Sequence, residues 1–548
     1  MKLRTSFLLL FTAMSVCTAA RAADSAAERL GTVSFAVSCS PSVQASFNRG
    51  VALLHDFWYQ EAESQFNQIA KADPACSMAH WGEALSVFHQ IWQRPSESTM
   101  TFGWAAMQKA QSPAAKTERE RAYIDALAAF YKPGKSDYQA RVEAYSAAMG
   151  NLYNRYPDDV DAAAFYALSL LAEKKPSDAT VVQEKKALAV IRPEIAKYPD
   201  HPGLVHYTIH ACDTPSLAAQ GLDASNHYGE IAATAPHAVH MPGHIYARLG
   251  MWPEDITSNV NAVAASQLAE SRHQSGAFDQ LHADDFLEYA YLQSGQDARA
   301  KDLLGNTSDL LARFETMPDM IHAAAGHAMD GMFGYYRAKL PIFYDLEMRD
   351  WKSAAALQTP SGSTPETETL TYWARTLASG HLHQAAEAKA DLATYDALDV
   401  EIRKGHHAYM ADSTSAQVER GEMLAWIAFA EGKQDEALNK MRAAADLQDK
   451  VGQGEVDIPA REMLADMLLE LHQPQPALVE YDAALKLSPN RFNGLFHAGM
   501  AAEELGDKPK AAQYYAALLK STDNGSQSGR PEFAHVKSFT SSTQLASK

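Results

Sequence analysis

The chain has 548 residues, of which 47% are hydrophobic, and a formal net charge of -19 with histidine neutral. That length accommodates several ordinary domains or one extended repeat array. The acidic excess argues against a nucleic-acid backbone or an anionic membrane as the main partner.

In chain order, Lys2 and Arg4 precede the apolar run SFLLLFTAMSVC, and small residues follow in TAARAADS. A short basic region, an apolar stretch too short to span a bilayer and a small-residue site predict a signal segment over 1–22. Ala20 and Ala22 set the cut after Ala22, with a cut after Ala20 as the alternative. Cys17 offers a lipoprotein alternative, against which Val16 is bulky where that processing prefers a small residue. The expectation is a periplasmic or secreted protein, with no transmembrane anchor after cleavage. Residues 23–46 then read as an N-terminal strap.

Export leaves Cys39, Cys76 and Cys212. In an oxidising compartment Cys39 and Cys76 can close a disulfide. The rivals are a metal site using Cys76 and His80 with His55, or two buried thiols. Cys212 reads as a small buried residue.

The remainder alternates alanine-rich helical segments with Gly, Asp and Pro, which predicts an all-α chain. GVALLHDFWYQEAESQFNQIAKADP places Gly50, Ala62, Phe66, Ala70 and Pro74 along a helix-turn-helix unit. RLGMWPED and QSGQDARAKDLL keep only turn-like glycines and some small positions. QTPSGSTPETET (358–369) is a polar loop, and SGHLHQAAEA and EGKQDEALNKMRAA read as further inter-helix turns. PALVEYDAALKLSP and FNGLFHAGMAAEELGDKPKAAQYYAAL return to the first pattern through Ala477, Tyr481, Ala484, Pro489, Gly499, Ala511 and Tyr515. Small residues let two helices approach, aromatics fill the seam, and proline stops the second helix. Residues 47–350 are read as a histidine-containing body and 370–520 as a second run of repeats. Residues 521–548 lack helical periodicity and predict a mobile polar tail.

These residues resemble the tetratricopeptide repeat, a helical hairpin, and the resemblance implies a tetratricopeptide-like solenoid. More narrowly, CSPSVQASFNRGVALLHDFWYQEA, DPACSMAHWGEAL, HPGLVHYTIHACD, APHAVHMPGHIYARLGMW and HADDFLEYAYLQ resemble a poorly characterised group of exported bacterial tetratricopeptide-repeat proteins with paired HxxxH-type motifs. That resemblance covers roughly residues 33–345 and implies architecture, not an activity.

Two stretches carry the chemistry. HPGLVHYTIH holds His206 and His210, and PHAVHMPGH holds His240 and His244. Counted from Pro202 and from Pro236, each pair occupies the fifth and ninth places of its unit. In tetratricopeptide repeats those places line the concave groove. Residues four apart share a helix face, so the four rings can meet across adjacent helices and hold zinc, copper or iron. His237 and His282 fall on the same side as groove residues. Asp213, Asp285, Tyr289 and Arg248 are candidate acid–base or charge-stabilising groups. Asn259, Asn261, His322, His327 and GHHAYM (405–410) are polar groups without an assignable face. Trp58, Tyr59, Trp81 and Trp92 read as packing.

Neither motif contains the glutamate of HExxH or the Glu-x-x-His pair of di-iron bundles, which counts against those two classes. Pro242 weakens the helical argument for the second pair. A buried network of neutral imidazoles explains the same pattern without metal. The leading reading is an exported binding or scaffold protein that takes a peptide, small molecule or partner protein in a histidine-lined groove. The alternatives are a metal-dependent hydrolase or oxidoreductase, and a purely structural assembly protein.

Overall fold

The computed structural model describes residues 28–92, 94–112, 115–134, 137–175, 178, 180–315, 328–452, 454 and 456–546. The signal segment, the first residues of the strap, and His322 and His327 lie outside them. Every regular element among the described residues is helical.

The first helices are α1 (Gln44–His55), α2 (Tyr59–Ala72), α3 (Ser77–Ser86), α4 (Glu97–Ala110), α5 (Glu118–Tyr131), α6 (Tyr138–Arg155), α7 (Val160–Ala172) and α8 (Val182–Ile195). The central helices are α9 (Pro202–Cys212), α10 (Leu222–Ile231), α11 (Pro236–His240), α12 (Pro242–Leu249), α13 (Trp252–Ser271), α14 (Ala277–Gln293) and α15 (Asp297–Glu315). Consecutive helices pack as hairpins, and each hairpin packs on the next. Further hairpins follow through residues 365–402, 414–451, 460–487 and 492–521. This is an all-α, tetratricopeptide-like solenoid.

The pairing rests on small residues facing aromatics. A β-carbon added to Gly82 would sit 2.3 Å from the Phe66 ring, and one added to Gly50 would sit 2.8 Å from it. Gly499 stands in the same relation to Tyr515, at 2.3 Å. Ala62 and Ala511 are fully buried in the corresponding seams. Side chains at these positions would force the helices apart, so the repeat pattern is a packing requirement.

The strap runs from the central helices to the first repeats. Gly31 N–H donates to Ile231 C=O at 2.9 Å and Thr32 N–H to Asp200 C=O at 2.8 Å. Phe35 is buried among Phe47, Trp81 and Tyr123. A Cys39–Cys76 disulfide then ties the strap to the start of α3, with Cα atoms 4.9 Å apart.

Two stretches differ from their sequence reading. Within 358–369, Thr364 caps the helix Pro365–His381, so the loop is shorter than its composition suggests. Within 521–548, residues Glu532–Ala546 form a helix. Phe533, Val536 and Phe539 are buried on one edge of it, against the last hairpin. Three apolar side chains at i, i+3 and i+6 suffice to dock a segment otherwise rich in Ser and Thr.

The later hairpins also lean on the central ones. Trp252 Nε1 donates to Asn490 C=O at 2.9 Å, and Asn490 Nδ2 donates to Gly250 C=O at 3.1 Å. Arg491, 1% exposed, lies between Glu462 at 2.8 Å and Glu347 at 2.9 Å. These contacts position the C-terminal repeats opposite α9–α14.

Candidate metal centre

Helix α9 opens on Pro202, with His201 as the capping residue. Helix α11 opens on Pro236, 34 residues later. Proline at the first helical position costs no backbone hydrogen bond and pre-sets the entering turn. The two units therefore begin alike and present their histidines in register.

His206 is fully buried, and its Nδ1–H donates to His55 C=O at 2.6 Å. A carbonyl only accepts, so the ring proton is on Nδ1 and the Nε2 lone pair points away. That Nε2 has no hydrogen-bond partner among the described residues. His237, 2% exposed, has no hydrogen-bond partner on either ring nitrogen among the described residues. A buried nitrogen left so costs roughly 1–3 kcal/mol. The donor atoms of His206, His210 and His237 lie within 4.8 Å of one another. Burial is the main cause that lowers His206 to a pKa of about 3 and His237 well below the usual range. Both rings are therefore neutral, which is the metal-ligating form.

A second group joins His240, His244 and His282, again with donors within 4.8 Å. The chain does break at Pro242, since α11 ends at His240 and α12 starts two residues later. The rings meet nonetheless, with Nε2 to Nε2 at 2.9 Å. His240 Nδ1–H donates to Asn259 Oδ1 at 2.6 Å, and His244 Nδ1–H donates to Asp213 at 2.9 Å. His282 Nδ1 is 3.0 Å from the Tyr336 hydroxyl. Behind Asn259, the buried Asp255 accepts from its Nδ2 at 2.6 Å, which aims the amide oxygen at His240. Burial raises Asp255 well above the usual carboxylate range, so this outer layer adds little charge.

The expectation of one centre made by two i,i+4 pairs is thus revised. His237 joins the first pair and His282 the second, giving two groups of three. The groups are neighbours, with ring centres 5.9 Å apart for His237 and His240 and 6.2 Å for His210 and His244. Their third members come from a different helix than the pair, a placement that depends on how the hairpins stack.

Aromatics cover both groups. Phe57 adopts φ 57°, an outlier for a bulky side chain. Its ring lies 4.4 Å from His206 and 5.4 Å from His210, centre to centre. Phe286 covers the second group at 4.8 Å from His240 and 4.6 Å from His244. Trp92, read as packing, stands edge-on to His237 at 4.9 Å.

The other candidates divide. Asp213 accepts from Arg248 Nε at 2.9 Å as well as from His244, so Arg248 acts through Asp213. Asp285 receives Lys339 Nζ at 2.6 Å one turn beyond His282. Tyr289 is corrected: its hydroxyl donates to Asp457 C=O at 3.1 Å and receives Arg491. It lies one further turn along α14, where the C-terminal repeats dock, and serves that contact. His406 and His407 engage Arg94 C=O and Glu366 instead of the centre.

Cys76 is used by the disulfide, and His80 pairs with Glu83 at 2.8 Å, which removes the rival metal site there. Cys212 is buried, and burial pushes its thiol up to about 11. His55, Asp161 and His201 form another close buried group. There Asp161 Oδ1 accepts from His55 at 3.1 Å and His201 at 3.2 Å. The remaining nitrogens meet Tyr207 and Leu204 N–H, so every ring atom is satisfied and the group reads as structural. Burial alone would raise Asp161, but the bonds from His201 and His55 hold it below the ordinary range.

Two cavities reach the centre. One of about 460 Å³ is lined by His210, Asp213, Trp92 and Arg94. The other, about 380 Å³, is lined by His282, Asp285, Phe286 and Lys339. Ser415 and Gly452 line both, so the second run of repeats forms a shared wall.

No family model matches the chain. No curated protein matches it either. Solved structures with similarity include the P58(IPK) TPR domain, at 11% identity over 92% of this chain and 99% of that one, TM-score 0.21. An IFIT1 monomeric mutant with Gppp-AAAA matches at 11% identity over 85% and 95%, TM-score 0.35. The APC/C hetero-tetramer Cut9-Hcn1 matches at 10% over 90% and 95%, TM-score 0.28.

Proposed function

We propose that this chain is an exported solenoid that holds a transition metal on its central histidines and binds a peptide or small molecule in the cavities beside them. One observation carries the metal reading. His206, His240 and His244 have their Nδ1 protons committed outward, to a carbonyl, an amide and a carboxylate. This is the arrangement that fixes the tautomer and aim of metal-binding imidazoles. The inward Nε2 atoms and the unpartnered His237 then supply the donors.

Export is supported by the amino-terminal pattern and by the Cys39–Cys76 disulfide, which belongs in an oxidising compartment. Ligand binding is supported by the two cavities opening against His210 and His282. Arg94, 3.9 Å from the Tyr409 ring centre and 4.9 Å from that of Tyr138, gives the first cavity a cationic wall suited to a carboxylate or another anion.

Metal analysis of protein purified without a histidine tag tests this reading. Stoichiometric zinc, copper or iron is expected, and it is lost when His206, His210, His240 and His244 are all replaced by alanine while the helical spectrum is kept. A folded quadruple variant with unchanged metal content contradicts the assignment.

A further inference from the structure

We infer that the recess is built for two ions, one in each three-histidine group, and that the ion it selects is copper. The inference rests on the metal-holding reading above and adds number and identity to it. Three nitrogens around one ion at about 2.0 Å are separated by roughly 3.3–3.5 Å. The donors of His206, His210 and His237 lie within 4.8 Å of one another, as do those of His240, His244 and His282, so small ring rotations close each set on a single ion. The six donors do not form one such set. Ring centres of 5.9 Å and 6.2 Å across the groups leave the two positions side by side, with His237 and His240 three residues apart at the junction.

The element follows from the donors and their surroundings. Both sets consist of imidazoles, and Asp213 binds His244 Nδ1 and Arg248. Imidazole suits copper, which stands at the top of the divalent affinity order. Zinc completes a tetrahedron with a fourth ligand, commonly water in an open site. Phe57 stands against His206, and Phe286 against His240 and His244. Cu(I) accepts three nitrogens alone. A monovalent ion among buried neutral imidazoles also meets a smaller desolvation cost than a divalent one, since that cost rises with the square of the charge.

The test is an anaerobic titration of tag-free apoprotein with Cu(I), read by competition with bicinchoninate. The native chain takes up two equivalents. His237→Gln and His282→Gln each retain one, and the double variant retains none at the same competitor concentration. A tenfold excess of zinc leaves the copper in place. Native protein saturating at one equivalent, either single variant keeping two, or displacement by zinc overturns the inference while leaving a metal centre. Absence of binding by every transition metal overturns the underlying reading instead. The glutamines keep the buried volume, and the native stoichiometry stands even where a variant fails to fold.

Discussion

The Nε2 atoms of His240 and His244 lie 2.9 Å apart on rings whose Nδ1 protons are already given to Asn259 and Asp213. Two neutral rings in those tautomers oppose lone pair to lone pair, and a cation held by both resolves the opposition. A proton shared between them satisfies this pair alone. It leaves His206 Nε2 and both nitrogens of His237 buried without hydrogen-bond partners among the described residues. On the proposed reading, an ion in each group accounts for both.

Asn259→Leu tests the outer layer. It removes the acceptor at 2.6 Å from His240 Nδ1 and frees the ring to rotate. Loss of such an orienting partner lowers metal affinity by about 10–100-fold. Competition titration shows this fall with the helical spectrum unchanged. Unaltered affinity means the tautomer of His240 is fixed by something else.

Arg491→Met tests the docking of the C-terminal repeats. The guanidinium sits between Glu347 and Glu462, all three buried. Removing one partner of such a cluster leaves buried carboxylates uncompensated and costs about 3–5 kcal/mol. Urea unfolding measures the loss. A change below 1 kcal/mol contradicts the buried arrangement.

The disulfide spans 37 residues. Chain-closure entropy for a loop of that length gives about 4 kcal/mol, with 2–4 kcal/mol typical of measured bridges. Reductant lowers the urea midpoint of the native chain by the corresponding amount. It leaves the Cys39→Ser, Cys76→Ser double variant, already destabilised, where it was.

His55 gives a pH test with a definite sign. Burial is the largest cause that lowers its pKa from 6.5 to about 4, and its bond to Asp161 offsets only part of this. The unfolded chain therefore takes up a proton that the folded ring refuses. The stability this neutral ring contributes is present above pH 6.5 and is lost as pH falls toward 4. The margin between native protein and His55→Gln shrinks across that window, by up to roughly 3 kcal/mol, and is flat above pH 7. A margin that grows on acidification shows a charged ring paired with Asp161.

Much of this was legible in the residues. Gly50, Phe66, Gly499 and Tyr515 announce hairpins because packing at those seams leaves no choice of size. The two histidine pairs stand out because Pro202 and Pro236 start their helices identically. What escaped depends on three-dimensional stacking. His237 and His282 belong with rings from other helices, and no single-helix periodicity can assign them. Asn259 had no readable face because its partner lies across the hairpin. Phe57 takes its place through a left-handed backbone turn that residue type does not suggest. Tyr289 shares a helix with His282, but its place in the interface with Arg491 depends on how the C-terminal repeats dock. The spacing of Phe533, Val536 and Phe539 was a usable signal for the last helix, masked by its Ser and Thr content.

X-ray absorption on metal-loaded, tag-free protein tests the central claim most directly. The account predicts a first shell of three nitrogens at about 2.0 Å per ion with imidazole outer-shell scattering. That signal disappears when His206, His210, His240 and His244 are replaced by alanine. A shell dominated by oxygen, or an imidazole signal that survives those replacements, contradicts it.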